Sequence, residues 1–301
     1  MTTVLSDRAA RKLGHGSAIG LLLTSMLNVF RSRPLILLGI LLVFPLIAAG
    51  GPTTRPAATD ALLARVCAKG PLLLHLPGVG GYLGVDRRML AGLRDAGIDA
   101  NIVVYDWTEH EPGIRALQAY DRNQREAQTI ADLIAAHAVA DPRSPIFITA
   151  HSGGCGLAAW ALAKLPPDVK VQTVLFIAPA LSPRFDLSPA LRHVNGKMYA
   201  FSSRFDTVVL FTGTRIFGTI DGVQTEAAGF SGFIQPQDAD PLMYQKLVQR
   251  AYQADWAKYD DFGDHIGGMA RAFASAILAP LISPIPTTQA DAQADSPHAG
   301  G

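Results

Sequence analysis

The sequence predicts an α/β domain, a mostly parallel central sheet flanked by helices, behind an N-terminal hydrophobic segment. Three observations predict it. Between residues 57 and 281, short apolar runs alternate with longer stretches of helical spacing. The runs are almost free of charge, as strands buried on both faces must be. Residues 35–49 are apolar throughout, and basic but no acidic residues fall between Asp7 and Asp60.

The elements follow in order. Leu72–Leu76 reads as a buried strand ending in the turn Pro77-Gly78-Val79-Gly80-Gly81. Residues 87–96 have helical spacing and stop at Gly97. A second strand covers 100–105, and a long amphipathic helix covers 115–137, with Leu117, Tyr120, Ile130, Leu133 and Ile134 among its apolar positions. A third strand at 145–149 runs into a helix over 153–165 that Pro166 and Pro167 stop. Residues 171–178 and 197–201 read as further strands, with a turn at Asn195-Gly196 before the last. Beyond them, 208–222 is β-like, 227–233 is a loose Gly-containing loop, 241–259 is helical with Leu242, Leu247, Tyr252 and Trp256 available for packing, and 269–278 is a helix.

The ends differ from this core. Residues 1–34 are basic and partly amphipathic, 35–50 form a transmembrane or signal segment, and 51–56 are a linker. Positive charge ahead of an apolar run keeps the N-terminus in the cytoplasm and sends the following chain across the membrane. Cleavage near Ala48-Ala49-Gly50 and retention as an anchor are both open, and the long basic region favours retention. Either way the domain is expected outside the cytoplasm, membrane-anchored or secreted. Residues 282–301 lack periodicity and bulky apolar groups, the composition of a disordered tail.

Composition narrows the function classes. Lys and Arg number 26 against 25 Asp and Glu, with no basic stripe, which argues against a nucleic-acid partner. Two cysteines, Cys67 and Cys155, exclude a disulfide framework and a four-cysteine zinc site. Neither a metal nor a cofactor is expected.

The decisive segment is Ala150-His151-Ser152-Gly153-Gly154, between a buried strand and an Ala-rich helix. Small residues two before and two after a serine are what a cramped strand–turn–helix bend demands. That bend lifts the hydroxyl above the sheet edge, at a helix N-terminus that favours developing negative charge. A serine here is also a common helix cap. Acyl transfer needs more: two N–H donors for an oxyanion, a base, and a carboxylate to orient the base. Val79 in the Gly-rich turn and Gly153 after the serine are the candidate donors. His265, in the glycine-flanked loop Gly263-Asp264-His265-Ile266-Gly267-Gly268, is the candidate base. His193 comes too early and His298 lies in the tail. Asp206, just past the 197–201 strand, is the candidate acid, ahead of Asp186 and Asp264. Ser231 has the spacing but no preceding strand and is rejected.

Together these segments resemble the α/β-hydrolase superfamily, from about Leu72 to Ala279, with Pro77–Gly81, Ser152, Asp206 and His265 in that family's chain order. Ala150 departs from the strict Gly-x-Ser-x-Gly pattern, and Pro77-Gly78 stands where the family has His-Gly. The resemblance implies a metal-independent serine hydrolase, carboxylesterase- or lipase-like, with Ser152 as nucleophile, His265 as base and Asp206 orienting it. Residues 207–264 read as an inserted lid or pocket wall. Trp107, Phe230 and Phe233 are candidate substrate contacts for a small ester or acyl compound. A membrane-tethered binding protein that keeps the scaffold without the chemistry is the alternative.

Overall fold

The computed structural model describes residues 55–108 and 111–282. Helix α1 (Arg55–Val66) leads into β1 (Leu72–Leu76), α2 (Gly84–Asp95), β2 (Asn101–Val104), α3 (Ile114–Gln118) and α4 (Tyr120–Ala140). Then come β3 (Ile146–His151), α5 (Gly154–Ala163), β4 (Val171–Ile177), α6 (Ser188–Leu191) and β5 (Val194–Ser202). A π-helical turn, Thr207–Gly213, precedes α7 (Thr214–Phe217), α8 (Ala228–Ser231), α9 (Pro241–Tyr244) and β6 (Leu247–Ala251). Short 3₁₀ turns at Ala254–Tyr259 and Gly267–Met269 lead to a last helical stretch through Arg271–Phe273, Ala274–Leu278 and Ala279–Ile282.

The strands form one sheet in the order β2-β1-β3-β4-β5-β6, and every pairing is parallel. Side chains alternate between its faces, which sorts the core in two. Leu72, Leu74, Leu76, Ile146, Ile148, Val174 and Phe176 pack with α4 and α5. Leu73, Phe147, Leu175 and Ile177 pack on the other side, with Met89 and Leu93 of α2 and Phe273 and Leu278 of the last helical stretch. Helices on both faces explain why the strands read as unbroken apolar runs. On that second side α2 and the last helical stretch nearly touch: a Cβ on Gly92 would fall 2.1 Å from the Arg271 carbonyl oxygen.

Four expectations are corrected. The helix expected over 115–137 is two helices, broken at Ala119, whose ψ of 60° is not helical. The Asn123 and Arg122 side chains hold the freed Ala116 carbonyl there. Asn195-Gly196 is not a turn but part of β5. Between Val171↔Val194 and Thr173↔Lys197 the pairing gains one residue on β5, a bulge, and Gly196 fits because a Cβ would meet the Gln172 carbonyl oxygen at 2.5 Å. Residues 208–222 are helical turns and coil instead of strand. Asp206 starts the π-turn by accepting from the Leu210 N–H (3.2 Å), and the Thr214 hydroxyl donates to the Leu210 carbonyl (2.8 Å). Finally, 241–259 is not one helix. Asp240 caps a single turn, then β6 adds to the sheet edge beside β5, so the 207–264 segment contributes a strand to the scaffold and is no mere lid.

The basic region, the 35–50 segment and the tail from 283 onward lie outside the described residues, as do Glu109 and His110. Helix α1 begins inside the stretch read as a linker, and Ile282 is buried in the last helix. Among the described residues, no helix is long and apolar enough to cross a membrane.

Candidate active site

The site gathers where the chain reverses its direction of travel across the sheet. From β1 the chain goes out to β2 and returns to β3 on β1's other side, so the loops after β1 and β3 diverge and leave a crevice at the carboxyl ends of these strands. Ser152 follows β3, and Val79 follows β1.

Ser152 has φ +53°, a left-handed conformation that costs a non-glycine residue about 1–2 kcal/mol. The surroundings impose it. Its N–H donates to the Ile177 carbonyl of β4 (2.9 Å), and its carbonyl accepts from Cys155 and Ala180 (both 3.1 Å). The bend presses α5 against the end of β1, so a Cβ on Gly154 would lie 2.4 Å from the Pro77 carbonyl oxygen. Only glycine fits there. Ala150, at the other small position, is accommodated with its methyl fully buried.

His265 Nε2 lies 3.1 Å from Ser152 Oγ, and His265 Nδ1 lies 2.6 Å from Asp206 Oδ2. A carboxylate only accepts, so Nδ1–H donates to Asp206, and bare Nε2 accepts from the serine hydroxyl. Asp206 is buried and its second oxygen is spent on the Leu210 N–H, which fixes the carboxylate plane. Three loops, after β3, β5 and β6, thus meet in one hydrogen-bonded line.

Beside it the β1 turn is braced from several directions. The Trp107 indole N–H donates to the Pro77 carbonyl (2.8 Å), Gly81 N–H to the Gly78 carbonyl (3.0 Å), and Gly113 N–H to the Val79 carbonyl (2.6 Å). Asp106 accepts from the Tyr82 N–H (3.0 Å) just past the positive-φ Gly81. Val79 stands over Gly153, where an added Cβ would fall 2.7 Å from Val79 Cγ1. Among the described residues, neither the Val79 nor the Gly153 N–H donates to a protein acceptor. Two free donors thus sit on adjacent turns beside a strained serine.

The three candidate substrate contacts sit elsewhere than expected. Trp107 is fully buried; it backs the turn and packs behind Gly153 instead of bordering the cleft. Phe230 belongs to a small core with Leu210 and Ala227, its ring centroid 4.8 Å from that of Phe211 and tilted 45° to it. Phe233 is part of the main core. A small cavity lies on the far side of the line, beside Asp206 and His265, lined by Ala178, Ser203, Gly229, Tyr252 and Trp256; Ser152, Val79 and Gly153 do not border it. Among the described residues, no group of three His, Cys, Asp or Glu side chains is arranged to hold a metal.

Sequence reasoning overlooked a second set of polar groups. His75, in the middle of β1, places Nε2 3.0 Å from Asp86 Oδ1 of α2 and Nδ1 3.0 Å from Thr149 Oγ1 of β3, all fully buried. Burial pushes the Asp86 carboxyl up, but its hydrogen bond to His75 and the charge there outweigh this and hold it below the ordinary value. His151, inside the serine motif itself, points to the same side of the sheet. Burial, and then the charge of His265, depress its pKa to about 4, so it is neutral at neutral pH. The alternation along β1 and β3 puts His75, Thr149 and His151 on one face, and that was the only available signal.

The topology, the bend and the loop-borne histidine define an α/β-hydrolase type of fold. No protein-family model matches the chain, and no curated protein matches it by sequence. Among solved structures it is similar to Aspergillus fumigatus lipase B, at 16% identity and a TM-score of 0.44, over 77% of this chain and 59% of that one. It therefore spans less than two thirds of that lipase. It is also similar to a protein from Xanthomonas campestris pv. campestris described as a "putative hydrolase of the alpha/beta superfamily", at 14% identity and a TM-score of 0.38, over 70% of this chain and 99% of that one.

Proposed function

We propose that the chain is a serine hydrolase that cleaves a carboxylic ester or related acyl bond through an acyl-enzyme on Ser152. The observation that carries this reading is the line Asp206–His265–Ser152, with contacts of 2.6 and 3.1 Å, ending at a strained serine beside two unpaired N–H groups. His265 Nε2 takes the hydroxyl proton as Ser152 Oγ attacks the substrate carbonyl, and Asp206 steadies the imidazolium that forms. The Val79 and Gly153 N–H groups hold the oxyanion, each contributing about 3 kcal/mol to barrier lowering. Collapse expels the leaving group with the proton from His265. Water, activated by the same histidine, then releases the acid.

The basic and then apolar N-terminus supports a second part of the proposal: the domain acts outside the cytoplasm, anchored or released after cleavage. The first residue of the mature protein distinguishes the two, since a start near Gly51 eliminates the anchor. For the chemistry, a chain-length series of p-nitrophenyl esters is the test. Turnover that disappears in Ser152→Ala supports the hydrolase. A folded protein that turns over none of the series, yet binds acyl compounds, supports a non-catalytic scaffold.

A further inference from the structure

We infer that His151 is a positioning residue that ties the base-bearing loop to the nucleophile strand and so sets the reach of His265 to Ser152. This rests on the hydrolase reading above. The loop needs such a tie. Residues 261–269 hold three glycines, one of them, Gly263, at φ +80°. Their other main-chain hydrogen bonds stay within the segment or go to its near neighbours in sequence: Asp261 N–H to the Trp256 carbonyl, Gly263 N–H to Asp261 Oδ1, Ile266 N–H to Asp264 Oδ1, Gly267 N–H to the Asp264 carbonyl, Met269 N–H to the Ile266 carbonyl, and Ala270 N–H to the Gly267 carbonyl. Among the described residues, the one hydrogen bond from this main chain to the sheet is from His151 Nε2 to the His265 carbonyl oxygen, at 3.0 Å.

The geometry makes that bond specific. A carbonyl only accepts, so Nε2 carries the proton, and His265 is thereby gripped at both ends: its ring by Asp206 and its main chain by His151. The two imidazole rings lie 4.9 Å apart at 44°. His151 is wedged against the β1 turn as well, since a Cβ on Gly78 would fall 3.1 Å from its Nδ1 and 3.3 Å from Ser152 Cβ. One buried side chain therefore touches the donor turn, immediately precedes the nucleophile, and holds the base. Its neutrality suits this place, because a second cation beside His265 would oppose proton uptake there.

The test uses the full chain and p-nitrophenyl acetate, with hydrogen exchange of the 262–268 amides as a readout independent of turnover. His151→Phe keeps a planar ring and removes the donor. His151→Asn keeps an amide but draws its N–H back toward the strand. His151→Gln places an N–H near the original Nε2 position. The expected result is a loss of kcat on the order of 100-fold in the Phe and Asn variants, the cost of roughly 1 Å of misplacement, with little change in KM. Loop amides exchange faster in both, and Gln restores most of each property. Should His151→Phe not fold, the Asn–Gln pair decides alone. Wild-type kcat and loop exchange in folded His151→Phe or His151→Asn overturn the inference, as does equal damage from Gln and Asn. Failure of the hydrolase reading looks different: turnover survives in Ser152→Ala, while the exchange pattern of the His151 series is untouched.

Discussion

Two histidines among the described residues each link a carboxylate to a hydroxyl, and only one of them reaches solvent. At the sheet's edge, His265 connects Asp206 to Ser152 with 2.6 and 3.1 Å contacts. Inside the fold, His75 connects Asp86 to Thr149 with two 3.0 Å contacts. The residue types are nearly the same and the distances comparable. What separates them is everything around the line. The His265 side chain is 14% exposed, His75 is 0% exposed, and Thr149 sits in regular strand, within β3 between β1 and β4. The orientation is also reversed, since Asp86 holds Nε2 where Asp206 holds Nδ1. A constellation of side chains becomes a reaction centre only with a strained, reachable nucleophile and somewhere for negative charge to go. Within the core the same constellation welds α2 to β1 and β3.

Substitutions should divide the two lines cleanly. Asp206→Asn leaves His265 without a carboxylate to fix its tautomer, and steady-state kinetics should show kcat reduced by about 10⁴-fold. Unfolding by urea should detect a smaller loss than at Asp86, because the His265 side chain, unlike that of His75, is reachable by water. Asp86→Asn should do the opposite, removing about 3–5 kcal/mol of stability because it strands half of a buried pair, while kcat per folded molecule stays near wild type. Comparable kcat losses in the two variants would break the distinction.

Acid should sharpen it. The folded-state pKa of His151 is depressed to about 4 from an ordinary value near 6.5. Between those values the unfolded chain binds a proton that the native chain refuses, so stability rises with pH across that window and is lost on acidification. Chemical denaturation from pH 6.5 to 4 should show a decline of about 3 kcal/mol from this group, flattened in His151→Gln. Asp86, whose carboxyl is held low, adds a loss only further down, as pH falls below the ordinary carboxylate value. The smallest effect is expected at a third pair, Arg271 with Asp95, whose side chains are 60% and 45% exposed. Water and salt screen it, and Arg271→Ala should leave the thermal midpoint where it is.

Much of this was legible in the sequence because it is dictated locally. The apolar run Leu72–Leu76 became β1 with its stated ends, and the small residues around Ser152 led into the bend they imply. The loop that carries Asp206 followed from the strand before it, whereas His265 was singled out by its glycine-flanked loop and its place late in the chain. What was illegible depends on contacts between distant segments. β6, Leu247–Ala251, is short, half-buried and paired on one edge only, so its pattern resembled a helix. The β5 bulge at Asn195-Gly196 looked like a turn because glycine serves both. Phe230, Phe233 and Trp107 were aromatic enough to line a pocket, but nothing in their spacing told wall from core. The His75–Asp86 pair needed a loop path from β1 to α2 that local rules do not supply.

The most direct test of the central claim is covalent labelling with a fluorophosphonate, followed by mass spectrometry of the modified peptide. One adduct is expected, on Ser152, formed far more slowly in His265→Ala and absent from Ser152→Ala. An adduct on any other residue, or a properly folded wild-type chain that resists the reagent altogether, would contradict it.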